Sequence, residues 1–170
     1  GLAPDGPAGG FIVWENGDSW HSAVGANGVT VGKGVNPAGV QDTHDGIVIA
    51  WSSGQILYGQ RVSASGILQW RARGVSLCPD AAARAVQGRD GETIVVGGTD
   101  HYPKSAVRAQ RIDATGVVHL GPNGVSVGDG YAPVAVSDGE GGVIIAWGIQ
   151  DPDYYYDSDR LYTQRLSRTA

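Results

Sequence analysis

The sequence has few of the features that mark helical, membrane-spanning or disulfide-stabilised proteins. Its single cysteine, Cys78, excludes an internal disulfide. No stretch approaches the roughly 20 apolar residues that a membrane helix needs, so membrane insertion is not expected. No window repeats its apolar residues with the period of 3.6 that indicates an amphipathic helix. The formal net charge of −5 argues against a nucleic-acid-binding surface.

Familiar catalytic motifs are missing as well. The chain has no Gly-x-Ser-x-Gly elbow, P-loop, His-Glu-x-x-His or Cys-x-x-Cys sequence. Its histidines share no metal-ligand spacing, which argues against a zinc site. Paired carboxylates for glycoside hydrolysis need only meet in space, so Glu15, Glu92 and Glu140 leave that class open. We predict a protein that is not an enzyme and that carries no organic cofactor.

Glycine is abundant, with 28 residues in a chain of 170, as closely spaced turns demand. The glycines punctuate an internal repeat of roughly 45 to 50 residues that is read four times. The marks that recur in the same order are an Asp-Gly turn, a β-branched run ending near a Trp, a Gln-Arg pair and a closing segment resembling Gly-Val-Ser-Val. Asp-Gly between extended runs is a strong hairpin signal. The turns are Asp5-Gly6, Asp45-Gly46, Asp90-Gly91 and Asp138-Gly139; the pairs are Gln60-Arg61, Gln110-Arg111 and Gln164-Arg165; the closing segments are 28–31, 74–77 and 124–127.

Repeats of this length made only of strand-like pieces are typical of all-β arrays. We therefore predict a β-propeller-like array of four short antiparallel blades of about 45 residues, forming one domain over residues 1–170. The four repeats cover residues 1–32, 33–78, 79–128 and 129–170, with approximate boundaries.

Residues that recur at one repeat position are predicted to serve the scaffold. The tryptophans Trp14, Trp51 and Trp147 indicate packing between blades. The glutamine of each Gln-Arg pair is expected to be a buried amide that bonds backbone between blades. Its arginine is expected to pair with a carboxylate, and the turn aspartates to bond their own backbone.

The pattern of the fourth unit, 137–147 followed by 161–166, resembles the blade repeat of secreted or surface-exposed bacterial β-propeller proteins. The second unit repeats it as 45–51 followed by 57–62. The resemblance covers nearly the whole chain, although Gly97 replaces the Trp in the third unit and the first unit lacks Gln-Arg. It implies a non-catalytic binding, adhesion or assembly module at the cell surface or outside the cell.

The fourth repeat stops before its outer strand, so its last predicted strand should have an unpaired edge. Such edges readily accept a strand from another chain. We therefore predict that another protein subunit completes this blade, giving a homo-oligomer, a filament or a larger surface assembly. The predicted assembly edge consists of Leu161, Tyr162, Thr163, Gln164, Arg165 and Leu166.

Residues outside the repeat pattern are the better candidates for ligand binding, because the scaffold does not require them. Loops expected on one side of a propeller carry aromatic side chains beside acids, a combination that suits glycan stacking or a protein partner. A lectin-like propeller is therefore the alternative function. The candidate ligand-face residues are Trp20, His21, Asp100, His101, Tyr102, Tyr131, Tyr154, Tyr155 and Tyr156.

One acidic segment suggests a metal site. Asp151, Asp153, Asp157 and Asp159 lie within nine residues and could supply oxygen ligands for Ca²⁺, although a solvated acidic loop has the same composition. We expect weak binding, with a dissociation constant of roughly 10⁻⁴ to 10⁻³ M as in extracellular modules. Calorimetry at millimolar calcium measures it, and the absence of any binding heat would remove calcium from consideration.

Overall fold

A computed structural model of the chain describes residues 2–3, 11–16, 19–22, 29–79, 82–98, 105–150 and 159–168. All regular secondary structure in these residues is β-strand, which confirms the predicted all-β class. Among them no helix is long and apolar enough to span a membrane. The strands are β1 (Leu2–Ala3), β2 (Phe11–Asn16), β3 (Ser19–Ser22), β4 (Val29–Gly32), β5 (Val35–Gln41), β6 (Ile47–Ser53), β7 (Ile56–Val62), β8 (Val75–Pro79), β9 (Ala82–Gln87), β10 (Thr93–Gly98), β11 (Ser105–Ile112), β12 (Val125–Ser137), β13 (Val143–Gln150) and β14 (Asp159–Leu166).

Strands that follow one another in sequence pair antiparallel, as the hairpin signals predict. β1 to β4 form one four-stranded sheet, β5 to β8 a second, and β9 to β14 a six-stranded sheet. In the second sheet, for example, Ile49 of β6 lies opposite Gln60 of β7. Successive sheets contact each other, with β1 and β2 against β5 and β5 against β9, and β9 contacts β12 within the six-stranded sheet.

The last two repeats differ from the prediction of separate blades, because they share β12. Residues 125–130 of β12 pair with β11, whereas residues 131–137 pair with β13. The change of partner coincides with a register shift near Tyr131 and a left-handed backbone at Ala132, with φ 49°. The first and second repeats make the same transition between β4 and β5, which are separate strands. Extended geometry through the junction therefore joins two repeats into one sheet.

The central strands form the core. Nearly all of β6 and every residue of β10 are buried, because each strand lies between the preceding and the following repeat. Trp51 packs with Val31, Ile47 and Ile49, and Trp147 belongs to a corresponding cluster around β10 and β13. The free thiol of Cys78, a residue of β8, is buried. The repeated apolar runs of the sequence are thus the interior of the protein.

Trp51 and Trp147 lie at the junction with the preceding repeat, as predicted, and each joins a core cluster that includes residues of that repeat. The Trp51 indole Nε1 donates to the Lys33 carbonyl at 3.1 Å, and Trp147 Nε1 donates to the Asp129 carbonyl at 3.1 Å. A Cβ on Gly128 would lie 2.7 Å from the Trp147 ring, so glycine is needed where the ring crosses the chain. Trp14 belongs to the described backbone of β2 alone, so its packing stays a prediction.

Candidate functional site

Gln60 is a buried clamp between β7 and the segment that leads into β8. Its Nε2 donates to the Arg71 carbonyl at 2.7 Å, and its Oε1 accepts from the backbone N–H groups of Arg61 and Trp70, each at 3.0 Å. The side chain is fully buried. One amide therefore satisfies backbone groups on both its own strand and the segment ahead of the outer strand.

Gln110 makes the same clamp in the third repeat and adds a bond between repeats. Its Oε1 accepts from the N–H groups of Arg111 at 2.9 Å and Leu120 at 3.0 Å. Its Nε2 donates to the Gly121 carbonyl at 2.6 Å and to the Leu77 carbonyl of the second repeat at 3.0 Å. The prediction that a buried glutamine bonds backbone between repeats is confirmed at Gln110, whereas the bonds of Gln60 to Arg61, Trp70 and Arg71 stay within its repeat.

Gln164 occupies the same position in the fourth repeat, but it is exposed. Among the described residues, none forms a hydrogen bond with its side chain. β14 is followed by no outer strand within the described residues, so the backbone segment that the clamp holds in the earlier repeats is absent there. Gln164 thus keeps the amide of the clamp, while no partner for it lies among the described residues.

The arginine that follows each glutamine secures the turn of its own repeat. Arg61 Nε donates to Asp42 Oδ2 at 2.6 Å, while Asp42 Oδ1 accepts from the N–H groups of His44 and Gly46. Burial of Asp42 opposes its ionisation, but the bonds from Arg61 and the two N–H groups outweigh that effect and lower its pKa. The carboxylate therefore stays charged and stabilises the turn. This arrangement of a turn aspartate bound to the arginine of its repeat is called the turn clasp.

The fourth repeat has the same clasp at a more exposed position. Arg165 Nε donates to Asp138 Oδ2 at 2.7 Å, and Asp138 Oδ1 accepts from the N–H groups of Glu140 and Gly142. The N–H group of Glu140 lowers the pKa of Asp138 most, followed by Arg165 and by the N–H group of Gly142. Asp138 is thus the counterpart of Asp42. The prediction that the Asp138-Gly139 turn corresponds to Asp45-Gly46 was wrong by three residues.

In the third repeat the acidic residue of the turn has moved by four positions. Gly88 stands where the other repeats have the aspartate, and Glu92 stands where they have Gly46 or Gly142. A Cβ on Gly46 would lie 2.7 Å from the Asp42 carboxylate, so a side chain fits there only when the aspartate is gone. Glu92 then faces the arginine of its own repeat, with Arg111 Nε 4.0 Å away.

The same arginines also reach the next repeat. Arg61 Nη1 donates to the Ala114 carbonyl at 3.3 Å, and Arg111 Nη1 donates to the Arg168 carbonyl. Ala114 and Arg168 each lie four residues after the glutamine of their own repeat. Arg165 instead directs its outer nitrogen to Glu140 of its own turn. The fourth repeat therefore has a second connecting group whose partner in a following repeat is not among the described residues.

β14 lies at the edge of the six-stranded sheet, and among the described strands it pairs only with β13. Leu161 is 83% exposed and Tyr162 is 41% exposed, although the Tyr162 ring stacks on Trp147 with centroids 6.0 Å apart. In the third repeat the Ala109 carbonyl oxygen faces the outer strand, since a Cβ added to Gly124, just before β12, would lie 2.5 Å from it. Thr163 is the counterpart of Ala109, so its backbone N–H and C=O point away from β13.

A cleft of about 560 Å³ lies where the first repeat meets the second. Tyr58 stacks on Trp51 at one wall, with centroids 6.1 Å apart. Two exposed cations, Lys33 and Arg73, lie at its border, and no carboxylate occurs among the described lining residues. The cleft is thus aromatic and basic in a protein of negative net charge. Its lining residues are Thr30, Val31, Gly32, Lys33, Trp51, Ser53, Tyr58, Ala72 and Arg73.

The structure bears on few of the predicted ligand-face residues. Tyr131 lies in β12, partly buried, with its ring next to Gly148. Trp20 and His21 lie in the described backbone of β3. Outside the described residues lie Asp100, His101, Tyr102, Tyr154, Tyr155 and Tyr156.

The calcium prediction also stays a prediction. Asp151, Asp153 and Asp157 lie outside the described residues, and Asp159 contributes the first backbone position of β14. Within the described part of the chain, no group of three or more His, Cys, Asp or Glu side chains is arranged to hold a metal ion.

Comparison with known proteins gives no family. No protein-family model matches the chain. No curated protein matches it either. The features of the molecule that bear on function are therefore the open edge of β14, its residues Gln164 and Arg165, and the basic cleft.

Proposed function

We propose that this chain is a non-catalytic, extracellular structural module that assembles with other subunits through the open edge of its fourth repeat. The repeats would form a propeller-like array whose last blade is completed by a strand from another subunit. The observation that carries the proposal is the edge position of β14, with its outward backbone groups and its exposed Leu161 and Tyr162.

Backbone chemistry supports strand addition at this edge. Unpaired N–H and C=O groups on an exposed strand form a ready template for another strand, and proteins commonly protect such edges with charges or proline. On β14 one of the charged side chains, Arg165, is already bound to Asp138 and Glu140. Leu161 and Tyr162 would gain apolar contacts when a strand is added, so association would bury both backbone and side-chain surface.

Replacing Thr163 by proline tests this function. The Thr163 N–H points to the open side, so Thr163→Pro should remove an assembly donor while leaving the ladder to β13 in place. We expect the dissociation constant between subunits to rise about tenfold or more, as one lost ladder bond and a misfitting ring would produce. Sedimentation velocity across a concentration series measures this.

Thr163→Val is the matched control, because it changes the side chain and keeps the N–H. It should associate like the unaltered protein. A stable monomer at all concentrations, or equal association by the proline and valine variants, would refute assembly through β14. The thermal unfolding midpoint of each variant should be checked, because the proposal requires folded monomers.

A second candidate function, lectin-like saccharide binding, is favoured by the cleft beside Tyr58. An aromatic wall suits a sugar ring, and Lys33 with Arg73 suits a carboxylate or sulfate on it. We therefore expect an acidic oligosaccharide to bind there, and the Lys33→Ala, Arg73→Ala double variant to bind about tenfold more weakly or worse. Calorimetry with an oligouronate measures the affinity. Arg71→Ala, which removes an exposed cation outside the cleft, is the control, and equal binding by all three proteins would dismiss the cleft.

A further inference from the structure

The cleft between the first and second repeats carries two cations that the scaffold does not require. Lys33 stands where the fourth repeat has Asp129, since each residue gives its carbonyl to the tryptophan of the following repeat. Arg73 stands where the third repeat has Asn123, because each precedes the glycine of a closing segment. The stacked tryptophan and tyrosine, in contrast, recur in the fourth repeat. The aromatic pair thus belongs to the repeat, whereas the two positive charges are particular to this cleft.

Neither charge has a counterion within the described part of the chain. Among the described residues, no carboxylate pairs with Lys33 or Arg73, and none lines the cleft. Both side chains are exposed, so each is accessible to a bound molecule. Arg61 of the same repeat, in contrast, is bound to Asp42 at 2.6 Å. The cleft therefore holds two positive charges that a ligand can neutralise.

The two cations reach the cleft from separate segments of the chain. The Lys33 carbonyl accepts from Trp51 Nε1 at 3.1 Å, so Lys33 lies at the nitrogen edge of the indole. Gly74, the neighbour of Arg73, lies at the six-membered ring, where an added Cβ would be 2.7 Å from Cη2 of Trp51. Binding one anion between them would force the two cations together against the repulsion of like charges. Two anions, one for each cation, neutralise both charges without that convergence.

We infer that the ligand of this cleft is an oligosaccharide with an anionic group on each of two successive sugars, one bound by Lys33 and the other by Arg73. The inference rests on the second candidate function, saccharide binding, and specifies its ligand. Tyr58, which is half-buried and stacked on Trp51, contacts the face of the sugar between the two ion pairs. The cleft volume of about 560 Å³ lies within the range of about 300 to 1,000 Å³ that is typical of small-molecule sites.

Disaccharides that differ by one charge test the ligand. Calorimetry compares a diuronate with the two disaccharides in which one or the other uronate is replaced by a neutral sugar. We expect the unaltered protein to bind the diuronate about tenfold more tightly than either, as one additional charge-assisted hydrogen bond provides. A disulfated disaccharide measured in parallel distinguishes sulfate from carboxylate as the preferred acid. Equal affinity for the diacidic and the monoacidic ligands would overturn the inference.

A double-mutant cycle tests whether the two cations bind different groups. Lys33→Ala and Arg73→Ala should each weaken diuronate binding about tenfold, and the double variant should bind about a hundredfold more weakly, because contacts that share no partner add in free energy. With each monoacidic disaccharide, only one of the two single variants should lose affinity. Arg71→Ala again serves as the control, and the thermal unfolding midpoint of each variant shows that it is folded. A double variant that binds as well as the single variants would show one shared anion and would refute the inference.

The inference and the function on which it rests fail differently. If an oligouronate binds in the cleft but the monoacidic and diacidic disaccharides bind equally, saccharide binding stands and the ligand with two anions is refuted. If the unaltered protein binds neither the uronates nor the sulfated disaccharide, the candidate function and its ligand both fail. Tighter binding of the diuronate, with additive losses at Lys33 and Arg73, supports both.

Discussion

Replacing Gln110 by leucine should lower the free energy of unfolding by about 3 to 4 kcal/mol, because four backbone groups lose their partner in a buried site. The amide satisfies two N–H groups and two carbonyls there, and leucine satisfies none. Chemical denaturation followed by circular dichroism measures the loss. The size of the effect reflects how much of the third repeat depends on a single side chain.

The fourth repeat provides the matched control for this experiment. Gln164→Leu changes the same residue at the same repeat position, but that side chain is exposed and has no partner among the described residues. We expect it to change the unfolding free energy by less than about 0.5 kcal/mol, as is usual for surface substitutions. It should be measured at a concentration at which the protein is monomeric. Equal losses at the two positions would contradict the view that the buried clamp stabilises the third repeat.

The second large effect is expected at the turn clasp of the second repeat. Asp42→Ala should cost about 2 to 3 kcal/mol at neutral pH, because it strands the partly buried Arg61 and leaves two backbone N–H groups without an acceptor. The Asp42 side chain is only 2% exposed, so water replaces little of what is lost. Thermal and chemical unfolding of the variant measure this cost.

Acid should remove the same contribution from the unaltered protein. The pKa of Asp42 is lower in the folded chain than the ordinary value of about 3.9, so folding is favoured by ionisation. The stability it contributes is complete above that ordinary value and is lost as the pH falls through the folded pKa. The difference between the unaltered protein and Asp42→Ala should therefore shrink below about pH 4. A difference that stays constant down to pH 2 would show that Asp42 acts through something other than its charge.

Much of the fold could be predicted from local sequence. The Asp-Gly hairpins and β-branched runs correctly located β6, β10 and β13, because strand and turn preferences act over a few residues. The burial of Gln110 and Trp51 followed from their repeat positions. The join of the last two repeats through β12 was not predicted, because it depends on whether a short junction stays extended.

The candidate site was harder to read from sequence. The clasp aspartate of the second repeat, Asp42, was missed, although a signal was present: Asp5, Asp42 and Asp138 each lie nine residues before the repeat tryptophan. The bonds from Arg61 and Arg111 to carbonyls of the next repeat leave no such signal, because any residue can supply a carbonyl. The cleft was missed for a related reason, since Lys33 and Arg73 are far apart in sequence and meet only after folding.

The hydrogen-bonded indoles have a consequence for spectroscopy. Trp51, Trp70 and Trp147 donate their Nε1–H groups to the carbonyls of Lys33, Ala114 and Asp129, which lie at three successive repeat junctions. Each indole N–H resonance therefore reports on one junction by its chemical shift and its exchange with solvent. Loss of the three signals together would indicate that the repeats separate as one cooperative unit, and loss in turn would give the order in which they part.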